Sequence, residues 1–179
     1  SNTAWAFATA GHAAPALFDA LASAAVPRLG EFKPQHLSNT AWAFATAEHP
    51  APSLFDALAS ESVAKIRAFR HPQDISNTAW AFAKAEHAAP SLFDALAVQA
   101  VPMLGDFRPQ AISSTAWAFA SAEHAAPALF DALAAEAVPR LRDFDEQSLS
   151  NTAWAFATLT HTPPGLFAAI AREAAGRLH

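Results

Sequence analysis

The fold of this chain is decided by an eight-residue stretch, Ser-Asn-Thr-Ala-Trp-Ala-Phe-Ala, at residues 38–45. The same stretch begins at Ser1, Ser76 and Ser150, and a variant with serine in place of asparagine begins at Ser113. The starts are therefore 37 or 38 residues apart. A fixed period of this size is typical of stacked repeat proteins, in which each unit buries its apolar surface against its neighbours.

Residues 33–67 show what one repeat contains. Pro34 suits the first turn of a helix, and the apolar stripe from Gln35 to Ala47 predicts a first helix, helix A. Residues 49–52 contain two prolines, which end helix A because the residue before a proline avoids helical geometry. Pro52 then begins a second helix, helix B. The sequence predicts an all-α protein, an α-solenoid of about five stacked helix-hairpin repeats, with A helices on one face and B helices on the other.

The repeats form a single array that covers the whole chain. Counted from each serine, they span residues 1–37, 38–75, 76–112, 113–149 and 150–179. The chain begins inside a repeat, with no start methionine or signal peptide, and its ends carry no polar capping repeat. We therefore expect this array to be a fragment of a longer protein.

Composition limits the classes of function. Hydrophobic residues make up 53% of the sequence, yet every apolar run is broken before the ~18 residues that a spanning helix needs, so no membrane insertion is expected. The absence of cysteine excludes disulfides and thiolate metal sites. The chain has 16 acidic and 11 basic residues and a net charge of −5, whereas nucleic-acid-binding surfaces are usually basic.

No catalytic motif is present, so we expect neither an enzyme nor a cofactor. The sequence has no glycine-rich phosphate loop, no thiol nucleophile and no HExxH motif. One histidine recurs in each repeat, at His12, His49, His87, His124 and His161. Stacked helices lie ~8–10 Å apart, too far for neighbouring imidazoles to share a metal ion bound at ~2 Å. We expect each histidine to end helix A and to meet its free carbonyl groups instead of binding a metal.

One tryptophan also recurs in each repeat, at Trp5, Trp42, Trp80, Trp117 and Trp154. On the helical wheel Trp42 lies at the border of the apolar stripe. An aromatic residue among alanines favours a structural core role, with the indole wedged between consecutive repeats. The alternative is that each indole stacks on a nucleobase. We predict the core role for all five.

Opposite the apolar stripe, helix A carries polar positions that repetition turns into columns. The columns are Gln35, Gln73, Gln110 and Gln147; Asn2, Asn39, Asn77, Ser114 and Asn151; and Thr9, Thr46, Lys84, Ser121 and Thr158. Amides and hydroxyls at a regular rise can hydrogen-bond base edges, and some helical-repeat proteins recognise one base per repeat. Lys33, Arg70 and Arg108 precede helix A and could meet phosphates, although Asp145 breaks that series. The columns are a candidate RNA-binding surface; a face that is only solvated is an equally open interpretation.

The repeat resembles a known family. Helix A carries Pro-Gln-x-Leu-Ser-Asn-Thr-Ala-Trp-Ala-Phe-Ala, and helix B carries Pro-x-Leu-Phe-Asp-Ala-Leu-Ala. Together they are similar to the octotricopeptide and heptatricopeptide helical repeats, which occur in organellar RNA-binding proteins, often beside a RAP domain, and are related to the FAST-kinase-like proteins. The resemblance covers essentially the whole chain.

The resemblance implies an α-solenoid of the chloroplast or mitochondrion. It also implies single-stranded RNA as the partner, bound on the first helix of each repeat, with a role in RNA processing, stability, translation or ribosome assembly. A second class of function stays open, because the chain is acidic and its repeats are nearly identical. In that alternative it is a scaffold that holds protein partners within a large organellar assembly, without direct RNA contact.

Overall fold

The computed structural model describes residues 2–177 and places them in ten α-helices, with no strand in that range. The A helices are α1 (Asn2–Thr9), α3 (Pro34–Thr46), α5 (Pro72–Lys84), α7 (Pro109–Ser121) and α9 (Glu146–Thr158). The B helices are α2 (Pro15–Ala25), α4 (Pro52–Ala64), α6 (Pro90–Ala100), α8 (Pro127–Ala137) and α10 (Leu166–Gly176). Short 3₁₀ helices follow the first four B helices, at Val26–Glu31, Ile66–Ala68, Val101–Asp106 and Val138–Asp143.

The helices form two layers. Each A helix packs along the A helix of the next repeat, from α1 on α3 to α7 on α9. In the other layer, each B helix from α4 onward packs against the 3₁₀ helix of the preceding repeat. The predicted all-α solenoid of stacked helix hairpins is therefore confirmed.

The predicted repeat bounds follow the sequence period and stay a prediction. Their starts lie inside the A helices, at Ser38, Ser76, Ser113 and Ser150. Structurally, a hairpin begins a few residues earlier, where helix A begins. Three residues of the first and last predicted repeats lie outside the described part of the chain: Ser1, Leu178 and His179.

Prolines begin most of the helices, because the missing N–H costs no hydrogen bond in the first turn. Helix α9 lacks such a proline, and the side chain of Asp145 caps it by accepting a hydrogen bond from the Ser148 N–H at 2.7 Å. Helix α10 begins at Leu166 and not at Pro164, because Gly165 takes a left-handed conformation with φ 84°.

The prolines late in the B helices change the type of helix. Pro27, Pro102 and Pro139 each stand two residues after the last residue of the α-helix, where the chain continues as 3₁₀ helix. Proline removes the backbone donor that an α-helix needs at that point. In repeat two Ala64 occupies this position, and α4 continues through it. At these prolines the chain therefore changes from α to 3₁₀ geometry.

Phenylalanines join consecutive repeats in the core. Each pairs a B helix with the next A helix: Phe18–Phe44, Phe55–Phe82, Phe93–Phe119 and Phe130–Phe156. The ring centroids are 4.9 to 5.0 Å apart in edge-on geometry, and every ring is buried. Such a pair contributes about 0.5–1.5 kcal/mol beyond its area burial. The apolar core therefore crosses every repeat boundary.

Each recurring histidine from repeat two onward closes helix A and bonds to the preceding repeat. The backbone N–H of His49 donates to the carbonyl of Phe44 at 3.1 Å, so the predicted capping holds for the backbone. The ring has a different partner, because Nε2 lies 2.8 Å from Oδ1 of Asp19 in the preceding B helix. The same ring contact recurs at 2.8 to 2.9 Å in His87–Asp56, His124–Asp94 and His161–Asp131.

Long cationic side chains also bridge the repeats. Lys65 Nζ donates to the carbonyl of Gly30 at 2.6 Å and to that of Phe32 at 2.8 Å, one repeat earlier. Arg140 and Arg177 donate to carbonyls of the preceding 3₁₀ segments in the same way. These bonds satisfy carbonyls that a short 3₁₀ helix leaves free.

Helix A ends with a residue in the left-handed conformation. Glu48, Glu86 and Glu123 have φ of 50 to 52°, where repeat one has Gly11 with φ 61°. The backbone N–H groups around this residue close the helix in a Schellman arrangement, which favours glycine. A residue with a Cβ costs about 1 kcal/mol more than glycine in this conformation.

We expect Glu123→Gly to raise the free energy of unfolding by about 1 kcal/mol, because glycine removes the Cβ strain at this position. Glu123→Ala removes the same charge but keeps the Cβ, so it should give no such gain. Urea titration of both variants measures the difference. Equal effects of the two substitutions would contradict the explanation.

Candidate functional site

A groove of about 850 Å³ runs across the A helices from α3 to α9. Helix α5 contributes a complete stripe of residues spaced four, three and four positions apart, namely Gln73, Asn77, Trp80 and Lys84, and the other helices contribute part of the same stripe. Residues with this spacing lie on one side of a helix. The groove is therefore the polar stripe of helix A, repeated along the array.

Part of each predicted polar column lies in this groove. Its lining includes Gln73, Gln110, Gln147, Asn77, Ser114, Asn151, Thr46 and Lys84. The other column members lie outside the lining: Gln35, Asn2, Asn39, Thr9, Ser121 and Thr158. The column members that line the groove thus share one surface, which lies mainly over α5, α7 and α9. That this surface binds RNA stays a prediction.

The tryptophans, predicted to be structural core residues, lie at the edge of the core: Trp42, Trp80 and Trp117 pack against it and stay partly exposed. Trp42, Trp80 and Trp117 line the groove and are half-buried. Trp5 and Trp154 are 46% and 45% exposed. A border position on the helical wheel puts each indole beside the neighbouring helix, but not underneath it.

Indoles of consecutive repeats contact each other in three pairs. Ring centroids are 6.3 Å apart for Trp5–Trp42 and for Trp42–Trp80, and 6.5 Å apart for Trp117–Trp154. The ring planes are tilted by 31 to 34°. We call these five residues the tryptophan ladder; they form these three pairs, and each residue stays partly exposed.

One of the three predicted phosphate-contact residues lines the groove. Arg108 does so, whereas Lys33 and Arg70 lie outside the lining. Repeat two carries one extra residue between Phe69 and the proline that begins helix A. That residue shifts the register, so His71 and not Arg70 stands directly before α5 and lines the groove.

Acidic residues balance the cations of the groove. Asp106 and Asp145 line it beside Arg108 and Lys84. Hydrogen bonds from Ser148 hold the pKa of Asp145 below its ordinary value, so its carboxylate is ionised at neutral pH. The groove is therefore polar and nearly neutral.

One amide pair in the groove is ordered by a direct hydrogen bond. Gln73 Nε2 donates to Asn77 Oδ1 at 2.6 Å. This leaves the Asn77 amide donors and the Gln73 carbonyl oxygen to meet a ligand. In repeat four Ser114 takes the asparagine position beside Gln110, so that repeat presents a different set of donors and acceptors.

A buried carboxyl lies beneath the groove, between α3 and α5. Asp74 is 6% exposed and accepts a hydrogen bond from Ser38 Oγ at 3.2 Å. Burial raises the pKa of Asp74, and the hydrogen bond from Ser38 and the positive charge of His71 offset only part of that effect. The equivalent position holds His36, Ala111 or Ser148 in other repeats.

Two further observations on residues 2–177 concern metal ligands and membrane-spanning helices. No cluster of three or more histidine, aspartate or glutamate side chains there is arranged to hold a metal ion. The same stretch contains no helix with the length and hydropathy that crossing a membrane requires.

We expect Asp74→Asn to raise the free energy of unfolding at pH 7. The folded pKa lies above the ordinary value of 3.8, so the folded protein holds this proton more tightly than the unfolded chain does. The contribution of Asp74 to stability is fully present below pH 3.8 and is lost as the pH rises through the folded pKa. The advantage of asparagine should therefore vanish as the pH falls to about 3.

Urea titrations between pH 7 and about pH 3 measure this dependence. Asp145→Asn is the control of opposite sign, because the pKa of Asp145 is lowered. That carboxylate stabilises the fold above pH 3.8 and loses its effect as the pH falls through its folded pKa. A pH-independent gain for Asp74→Asn would show that ionisation is not its cause.

We expect Trp80→Ala to lower the free energy of unfolding by about 2 kcal/mol, less than the ~3–5 kcal/mol of a fully buried aromatic ring, because Trp80 is half-buried. Trp5→Ala should cost clearly less, since Trp5 is 46% exposed and its helix packs on the A helix of one neighbouring repeat only among the described residues. Both losses are measured by urea titration. Equal losses at the two positions would contradict a packing role for the ladder.

Comparison with known proteins places the chain in a family. The sequence profile of the RNA-editing substrate-binding complex 6 protein family matches residues 2–164, which include every A helix of the array. A search of curated proteins finds no match to the chain. Because the profile covers most of the sequence, the chain belongs to the RNA-editing substrate-binding complex 6 protein family.

Proposed function

We propose that the groove across the A helices binds single-stranded RNA, and that the protein is a binding module and not an enzyme. The observation that carries the proposal is the tryptophan ladder beside columns of amides in one groove. The family name adds support, since it describes a component of a complex that binds RNA-editing substrates.

The tryptophan ladder supplies stacking surfaces. Trp42, Trp80 and Trp117 line the groove and keep part of each ring exposed. A base stacked on an aromatic side chain is stabilised by about 1–3 kcal/mol, with little dependence on which base it is. A ladder with one indole per repeat therefore suits an unpaired strand that crosses successive repeats.

The amide columns supply hydrogen bonds to the edges of the stacked bases. Gln73 and Asn77 present donors and acceptors directly beside Trp80. Amide side chains pair well with base edges that offer one donor and one acceptor. Since repeats three and five keep asparagine and repeat four has Ser114, the expected preference is nearly uniform with one different position.

Weak electrostatics support a shallow dependence on salt. Two basic residues, Arg108 and Lys84, line the groove with His71, opposed by the carboxylates of Asp106 and Asp145. Each phosphate contact to a single strand contributes about 0.7 to the slope of log affinity against log salt. We therefore expect a slope of no more than about 2 in magnitude, far below that of a basic RNA-binding surface.

A protein scaffold is the second proposed function. The observation that favours it is the charge: the net charge is −5 and the groove itself is nearly neutral. In this alternative the groove and the exposed tryptophans bind a protein partner within the complex that the family name describes.

The finer resemblance to octotricopeptide-type repeats adds an organellar setting to the proposal. We propose the mitochondrion as the compartment, because RNA-editing complexes of this kind are mitochondrial. The chloroplast gains no support from the family. The proposed role is in RNA processing within that organelle.

We expect the protein to bind labelled single-stranded homopolymer RNA at low salt and to prefer it to duplex RNA of the same length, because paired bases cannot stack on indoles. Fluorescence anisotropy at two salt concentrations measures affinity and slope. Trp80→Ala together with Trp117→Ala should lower the affinity for every homopolymer about tenfold or more, as stacking is lost.

Amide substitutions test the base contacts. Asn77→Ala together with Asn151→Ala should reduce the difference in affinity between homopolymers while the helical content stays unchanged. Asn2→Ala is the matched control, because it removes the same amide from the same column outside the groove. Absence of RNA binding at low salt, together with capture of the folded protein by its protein complex, would replace RNA binding with the scaffold function.

A further inference from the structure

Lys84 differs from the other members of its column, and its position suggests a role of its own. The other repeats have threonine or serine here, so Lys84 is the one charged side chain of that column. It lines the groove, and its side chain is 40% exposed. It lies at the last position of α5, whereas Arg108 lies just before the first position of α7. The two cations therefore mark opposite edges of the groove.

Lys84 already has an anionic partner. Its Nζ lies 2.8 Å from Oε1 of Glu48, which follows α3 in the preceding repeat. This contact lowers the pKa of Glu48, so the carboxylate stays ionised. The Glu48 side chain is 73% exposed, which leaves both charges in water.

This ion pair is specific to one repeat boundary. Glu86 and Glu123 occupy the equivalent left-handed position in the next two repeats. The residues facing them one repeat later are Ser121 and Thr158, which carry no charge. The chain therefore contains matched glutamates with and without an opposing cation.

We propose that Lys84 is a phosphate-binding residue of the groove and that Glu48 competes with the RNA backbone for it. The proposal rests on the proposed function, because it assigns one contact of the same RNA-binding groove. An ammonium group binds carboxylate and phosphate alike as a compact point charge.

The exchange is feasible because the existing pair is weak. Exposed ion pairs between flexible side chains are screened by water and contribute little to stability. A phosphate held over the groove by stacked bases therefore displaces the Glu48 carboxylate from Lys84. Glu48 then returns to solvent, and no other contact of α3 or α5 has to change.

A double-mutant cycle tests the competition, with labelled oligouridylate and oligoadenylate of about 12 nucleotides as probes. Glu48→Gln should raise RNA affinity about twofold to fivefold, since it removes the competitor. Lys84→Gln should lower the affinity and flatten the salt slope by about 0.7, the contribution of one phosphate. Glu48→Gln added to Lys84→Gln should give no more than the gain of the control Glu86→Gln.

The controls separate this contact from general charge effects and from folding. Glu86→Gln removes an equal charge one repeat away and should change affinity far less than Glu48→Gln. Lys84→Arg keeps the charge and should keep the salt slope, and urea titration shows whether each variant folds.

Three results would overturn the assignment. Equal gains from Glu48→Gln and Glu86→Gln would show a general charge effect, and an unchanged salt slope in folded Lys84→Gln would show that Lys84 meets no phosphate. In both cases the wild-type protein still binds RNA, so only this assignment fails. Loss of RNA binding by the wild-type protein itself removes the proposed function and this contact with it.

Discussion

Most buried residues of α3, α5, α7 and α9 have small side chains, which lets consecutive A helices approach closely, and this contact determines the rest of the architecture. In α5 the buried residues include Ser76, Thr78, Ala79 and Ala81, none large enough to hold the neighbouring helices apart. Because the A helices approach closely along the array, three pairs of neighbouring indoles in the tryptophan ladder have ring centroids 6.3 to 6.5 Å apart. The groove is a direct result of stacking nearly identical helices.

Departures from the repeat are compensated by nearby residues. At the position where Lys65 and Arg140 bind carbonyls of the preceding repeat, repeat three has Met103, which cannot donate a hydrogen bond. There Gln99 donates to the carbonyl of Phe69 at 3.0 Å instead. In α9 the helix-starting proline is missing and Asp145 caps the helix with its side chain. At both of these sites a backbone group is therefore still hydrogen-bonded, although a different side chain supplies the bond.

The period and the prolines were sufficient to predict the hairpins, because both act locally along the chain. The depth of a side chain depends on neighbouring repeats, and for that reason the sequence does not distinguish Trp42, Trp80 and Trp117, which pack against the core, from Trp5 and Trp154, which are more exposed. The register of His71 was missed because a single inserted residue moves every position that follows it. The contact between His49 and Asp19 could be predicted from the sequence, because in each repeat pair an aspartate lies 30 or 31 residues before the histidine that it contacts.

The balance of charge in the groove bears on what kind of RNA such a surface selects. A basic surface attracts every phosphate backbone at long range, whether the strand is paired or not. Here Arg108 and Lys84 are offset by Asp106 and Asp145, so an RNA ligand of this groove would gain little affinity from its phosphate backbone. Under the proposed function, binding therefore depends on stacking and hydrogen bonds, which act only at contact and only on unpaired bases. Because each repeat adds one such contact, affinity grows with the number of repeats that a single strand can cross.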